Sequence, residues 1–198
     1  MRNYPNCLLD PEQCVFLFID QRPQDFAAVE GVSRARILDR TAALAQTAGI
    51  FQAPCLLTAM DEAAGPMAQN LREHKPDMAL VVRRGYNGWE EPELRAALER
   101  TGRRRLILAG IWTEGALCFL ALCAAAGGYE VFVAADACGG TSRLAHETAV
   151  ARMIQAGIKP VTWPQVILEF QRDPVYGESY AAAEALISRH TGLWSANP

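Results

Sequence analysis

Six short runs of this chain are apolar through most or all of their length. They are CVFLFID (Cys14–Asp20), APCLLTA (Ala53–Ala59), MALVVRR (Met78–Arg84), RLILAGI (Arg105–Ile111), EVFVAAD (Glu130–Asp136) and KPVTW (Lys159–Trp163). A strand with one wet face alternates apolar and polar residues. A strand that does not alternate is covered on both faces, which marks a parallel sheet with helices on each side. The intervening stretches carry helical spacing. In SRARILDRTAALAQTAG, Ile37, Thr41, Leu44 and Ala48 repeat at helical intervals, with Ser33 as N-cap and Gly49 as the stop. Further helical stretches are EEPELRAALERTG, TEGALCFLALCAAAGG, RLAHETAVARMIQAG, PQVILEFQRD and ESYAAAEALISRHTG. Parallel neighbours need right-handed crossovers. The expected fold is a three-layer α/β/α sandwich on a six-stranded parallel sheet, Rossmann-like in outline.

The 198 residues show no internal repeat, low-complexity tract or long linker, and read as one domain over 1–198. A net charge of −3 argues against nucleic acid or an anionic membrane as partner. The run GRRRL (Gly102–Leu106) reads as a solvated connection. No charged-then-apolar leader opens the chain, and no apolar run approaches the roughly 20 residues that span a bilayer. The six cysteines form no CxxC pair and most sit in apolar segments, where a free thiol packs as a small hydrophobe. These features predict reduced thiols in a cytoplasmic protein.

In such a sheet, ligands bind beyond the C-terminal strand ends. Those ends bring Asp20, the adjacent Arg83 and Arg84, the turn at Trp112–Thr113, and Asp136. Asp20 could be a general acid or base, or could cap its own turn. Either arginine could pair with it. The turn before TEGA could aim backbone N–H groups at an anion. There is no G-x-G-x-x-G after the first strand, no phosphate loop and no G-x-S-x-G elbow. His74, His146 and His190 are scattered, so a histidine metal site is not expected.

Four blocks carry a resemblance: VFLFIDQRPQDF, VVRRGYNGW, LILAGIWTEGAL, and the long stretch VFVAADACGGTSRLAHETAVARMIQAGIKPVTWPQVILEFQRD. Across roughly Cys7 to Thr191 the chain resembles the isochorismatase-like cysteine hydrolases, and within them the YcaC-related branch. The resemblance implies an isochorismatase-like α/β fold and a hydrolase of a small amide-like (C–N) substrate. It implies a covalent mechanism in which a cysteine at a helix N-terminus attacks. The first-strand acid, Asp20, moves the proton, and a basic residue, Arg83, orients that acid. Arg83 is preferred over Arg84 because its spacing to Trp89 fits the block. The resemblance also implies a cis peptide at Ile111–Trp112, an oxyanion site from the backbone of Trp112, Thr113 and residue 116, and a homo-oligomer. Phe26, Asn87, Trp89, Trp112 and Glu114 are the expected pocket residues. No cofactor and no metal are expected: where metal-binding relatives have an Asp and His cluster, this chain has LLTAMDEAAGPMAQ, with Asp61 and Glu62 but no histidine.

One departure matters most. Active members read G-x-x-T-[DE]-x-C-V, and the nucleophile position here is Ala116. Cys118 lies two residues on, about 200° around a helix, and Cys123 lies about 10 Å further along it. Neither replaces a thiol at 116. Three explanations stay open: an engineered Cys→Ala replacement, a naturally thiol-free enzyme using Asp20 as an acid, or a non-catalytic binding relative.

Overall fold

The computed structural model describes residues 7–21, 25–60, 71–175 and 177–191. Its centre is a six-stranded sheet in the order β3-β2-β1-β4-β5-β6. The strands are β1 (Cys14–Ile19), β2 (Cys55–Ala59), β3 (Ala79–Val82), β4 (Arg105–Ile111), β5 (Glu130–Gly139) and β6 (Lys159–Val161). Every neighbouring pair is parallel. The helices are α1 (Arg34–Ile50), α2 (Pro92–Arg100), α3 (Cys118–Ala126), α4 (Arg143–Gln155), α5 (Trp163–Gln171) and α6 (Gly177–Thr191).

The apolar runs are explained by two cores. Phe16 and Phe18 of β1 enter the layer that holds α1, α5 and α6, with Leu44, Phe170 and Leu186. Val15, Leu17 and Ile19 enter the opposite layer, with Leu94, Leu98, Leu120 and Met153 of α2, α3 and α4. Successive side chains of a strand point to opposite faces, so a strand between two helical layers must be apolar at every position.

The strand order fixes the site. The chain runs outward from β1 through β2 to β3, then returns to place β4 against the other edge of β1. The order therefore reverses between β1 and β4, and the crevice at such a switch point is where open α/β sheets bind ligands.

Several expected boundaries shift. α1 runs through Gly49 to Ile50. β3 is a short edge strand with Ala79 and Val82 exposed, because the outermost strand has a neighbour on one side only. The stretch after Asn87 divides into a 3-10 turn, Gly88–Glu90, and α2, with Pro92 at the first helical turn, where a missing N–H does no harm. β6 stops at Val161, and Trp163 opens α5. β5 continues past Asp136 to Gly139 after a register shift between Leu108 and Gly110 of its partner. Asp136 consequently does not close a strand at the crevice. Its Oδ1 accepts the Trp163 N–H at 3.0 Å, capping α5, and Arg40 lies 3.8 Å from its other oxygen.

Candidate active site

Asp20 is the first residue past β1. Its N–H donates to Thr58 O at 3.0 Å, and its φ of 50° lies in the left-handed region that Asp tolerates better than most residues. The carboxylate is largely buried and forms an ion pair with Arg83 through Oδ2 and Nη2. Arg83 follows β3 directly, and its N–H donates to Ala59 O at 2.9 Å, extending the ladder by one residue. Its Nε donates to Gly85 O at 3.0 Å, and its side chain is fully shielded from solvent. Arg84 points elsewhere: it is exposed, and its N–H donates to Glu91 Oε1 at 2.9 Å.

Across the switch point, β4 ends at Ile111, and the Ile111–Trp112 peptide is cis. Gly110 sits one residue earlier, with φ of 145°. A Cβ there would lie 2.1 Å from Ile19 O, so β4 approaches β1 more closely than any side chain allows. The next residues, Thr113–Leu117, form a wide π-type turn interrupted at Gly115 (φ −110°, ψ −110°). The Trp112 carbonyl accepts from both Gly115 N–H (3.1 Å) and Leu117 N–H (3.3 Å). Ala116 lies between these two donors, at the entry to α3.

Asp20 and Ala116 face one cavity of about 200 Å³. Ile111 and Trp112 form part of its wall, and Asp25, Met60 and Tyr86 complete the lining. The Trp112 indole N–H donates to Asp25 O at 3.0 Å, which fixes the ring. A larger depression of about 410 Å³, lined in part by Pro11, Gln52 and Arg103, lies at the N-terminal strand ends. It holds neither the ion pair nor the turn, so the smaller cavity is the site of interest.

The other expected pocket residues lie off this cavity. Phe26 packs with Val29, Ile37 and Ile111 in a small cluster of its own. Asn87 caps the 3-10 turn, accepting from Trp89 N–H at 3.2 Å. Trp89 meets Tyr129 edge-on at 5.6 Å. Glu114 turns away from the cavity, where Oε1 accepts from Thr141 N–H (2.8 Å) and Oγ1–H (2.6 Å). Thr113 is fully buried, and its Oγ1 shares a hydrogen bond with His146 Nδ1 at 2.8 Å. Sequence reasoning passed over Asp25, Met60 and Tyr86. Met60 is the residue after β2, so the strand-end rule could have found it; Tyr86 stands three residues past Arg83 in a block already singled out.

The visible thiols do not serve this cavity. Cys118 is buried in the core, and burial raises its pKa. Cys123 is half-buried and accepts from Asn87 Nδ2 at 3.5 Å. Among the described residues there is no cluster of three or more His, Cys, Asp or Glu suited to a metal. Asp61 and Glu62 lie outside the described residues.

The Isochorismatase domain profile matches residues 14–165, most of the chain and every strand just described. The chain belongs to the isochorismatase family. Within that family it falls in the YcaC-related branch of hydrolases. It is 31% identical over 172 residues to the probable hydrolase YcaC of Escherichia coli (strain K12), covering 85% of this chain and 83% of that protein. The crystal structure of the E. coli ycaC product, described as an octameric hydrolase of unknown specificity, superposes with a TM-score of 0.87 at 30% identity, over 96% of this chain and 94% of that one. YcaC from Pseudomonas aeruginosa, solved with hexane-2,5-diol and covalent acrylamide, gives a TM-score of 0.87 at 28% identity, over 98% and 96%. This isochorismatase-family chain has no helix, among its described residues, long and apolar enough to cross a membrane.

Proposed function

We propose that the site is built to hydrolyse a small amide-like C–N bond through a covalent thiol mechanism, and that Ala116 stands where the thiol belongs. One observation carries this reading: the buried Asp20–Arg83 pair and the Ala116 methyl share a single cavity at the β1/β4 switch point. The buried guanidinium favours the carboxylate form of Asp20, which suits a proton acceptor. It also weighs against a thiol-free route in which Asp20 would start as a protonated acid.

With a thiol at 116, Asp20 takes the Sγ–H proton as the sulfur bonds to the carbonyl carbon. The tetrahedral oxyanion is met by backbone N–H groups of the turn, those of Trp112, Thr113 and residue 116. Collapse breaks the C–N bond, and the departing amine takes the proton from Asp20. Water then adds to the thioester, restoring the thiol and releasing the acid. With Ala116, no bond to the substrate can form, and the chain retains only the binding half of the cycle. The cavity is smaller than the roughly 300–1,000 Å³ of drug-sized pockets, which limits the substrate to a small molecule. Acrylamide alkylates nucleophiles through its alkene, so the covalent acrylamide carried by the Pseudomonas relative supports a reactive nucleophile in this branch rather than a particular substrate.

The test is turnover. Ala116→Cys should release ammonia from members of a panel of small primary amides, while the unaltered chain and the Ala116→Cys/Asp20→Asn double variant should not. Release by the unaltered chain at the rate of Ala116→Cys would contradict the covalent route. We also propose a homo-oligomer, supported by the octameric relative; light scattering at the mass of a single chain would overturn it. Six free thiols support a reducing, cytoplasmic setting.

A further inference from the structure

The turn that presents residue 116 is held from behind. Thr113, its first residue, is fully buried, and its hydroxyl reaches His146 of α4 at 2.8 Å. Glu114, the second residue, is tied to Thr141 just before that helix. Its carboxylate lies over Gly140, where a Cβ would come within 2.5 Å of Oε2. The helix carrying His146 is itself anchored, since Ser142 Oγ accepts from Ala145 N–H at 3.0 Å at its N-cap. Two successive residues of the turn are thus fastened to one connection and its helix, on the side away from the cavity. Residues 112 and 116 are left facing inward.

We propose that His146 is a positioning residue for position 116: its ring, through the Thr113 hydroxyl, sets the geometry of the turn that aims the nucleophile position at Asp20. His146 does not line the cavity and touches no reacting atom, so its role is indirect. Burial lowers its pKa below the usual histidine range, which keeps the ring neutral at neutral pH. A neutral imidazole offers one N–H and one lone-pair nitrogen, and a hydroxyl can complement either. A buried hydroxyl left without that partner is costly, so the contact is hard to exchange for water.

The inference rests on the reading that residue 116 is the reacting position, and its test has one arm that does not. In the unaltered chain, His146→Phe keeps a ring but removes the polar atom, whereas His146→Asn places an amide atom near the original Nδ1. His146→Phe should raise amide hydrogen exchange in Thr113–Leu117 about tenfold, with β1 and β4 unchanged, and His146→Asn should restore most of the protection. In the Ala116→Cys background, alkylation of the new thiol should fall about tenfold with His146→Phe and recover with His146→Asn. Unchanged exchange in the turn with His146→Phe overturns the proposal. So does a loss with Phe that Asn fails to repair, because that marks a merely structural ring. If Ala116→Cys alone reacts no faster than a buried thiol, the hydrolase reading falls while the exchange arm still decides the role of His146.

Discussion

A guanidinium buried against a carboxylate is expensive to assemble and more expensive to break. Arg83 is fully shielded and Asp20 nearly so, and removing the cation leaves a charge with much of its compensation gone. Arg83→Leu should therefore destabilise the fold by about 3–5 kcal/mol in denaturant titration. Arg84→Leu, at an exposed neighbour whose backbone N–H donates to Glu91, should stay within about 0.5 kcal/mol. Equal effects at the two positions would contradict the assignment. This pair also marks a limit of the sequence. Asp20 was legible as an acid closing an apolar run. Two adjacent arginines at a strand end look alike until one knows which of them continues the ladder, and the Arg83 N–H bond to Ala59 O supplies that distinction. Met60 was missed for a related reason: a methionine carries no chemical signal of its own, only its place after a strand.

At the scale of elements, β4 does the positioning. Its pairing with β1 runs from Cys14↔Arg105 to Ile19↔Gly110, so the last pair sits beside Asp20 and just ahead of the Trp112 turn. Gly110 is what lets the two strands close there. Gly110→Ala must displace Ile19 O and adopt a backbone angle that an L side chain resists; a loss of about 3 kcal/mol or more is expected in thermal or denaturant unfolding. A loss below about 0.5 kcal/mol would show that the strands are free to part. Strand existence was legible because two apolar layers impose apolar residues at every position. Strand ends were not. β5 runs on through Ala137, Cys138 and Gly139 because pairing resumes beyond the bulge, and a bulge leaves little mark in composition. The same extension carries Asp136 away from the crevice and onto the N-terminus of α5.

At the scale of the molecule, the strand order gathers the site from segments far apart in the chain. Asp20 and Arg83 are 63 residues apart, and the turn at 113–117 comes from the far side of β1. The pattern of six apolar runs with helical crossovers implied that they share the C-terminal end of a parallel sheet; the order β3-β2-β1-β4-β5-β6, which the pattern did not give, sets β1 between β2 and β4 there. Nor did the pattern imply the back side of the turn, because the Thr113–His146 contact depends on how α4 lies across it. The same packing sets the thiol background. Cys14 and Cys138 are pushed up to about 12 by burial, and burial raises Cys55 and Cys118 as well. Of the six thiols only Cys7 is exposed. A new thiol at position 116 can therefore be read against the unaltered chain as a blank. The decisive measurement is the pH dependence of iodoacetamide alkylation of Ala116→Cys, with that blank subtracted. The account predicts a thiol titrating at least about one unit below the usual cysteine value near 8.5 despite the neighbouring Asp20 carboxylate, so that Asp20→Asn, which removes that negative charge, lowers it further. A thiol titrating at or above that value, and not lowered by Asp20→Asn, would contradict the claim that this cavity was built around a nucleophile.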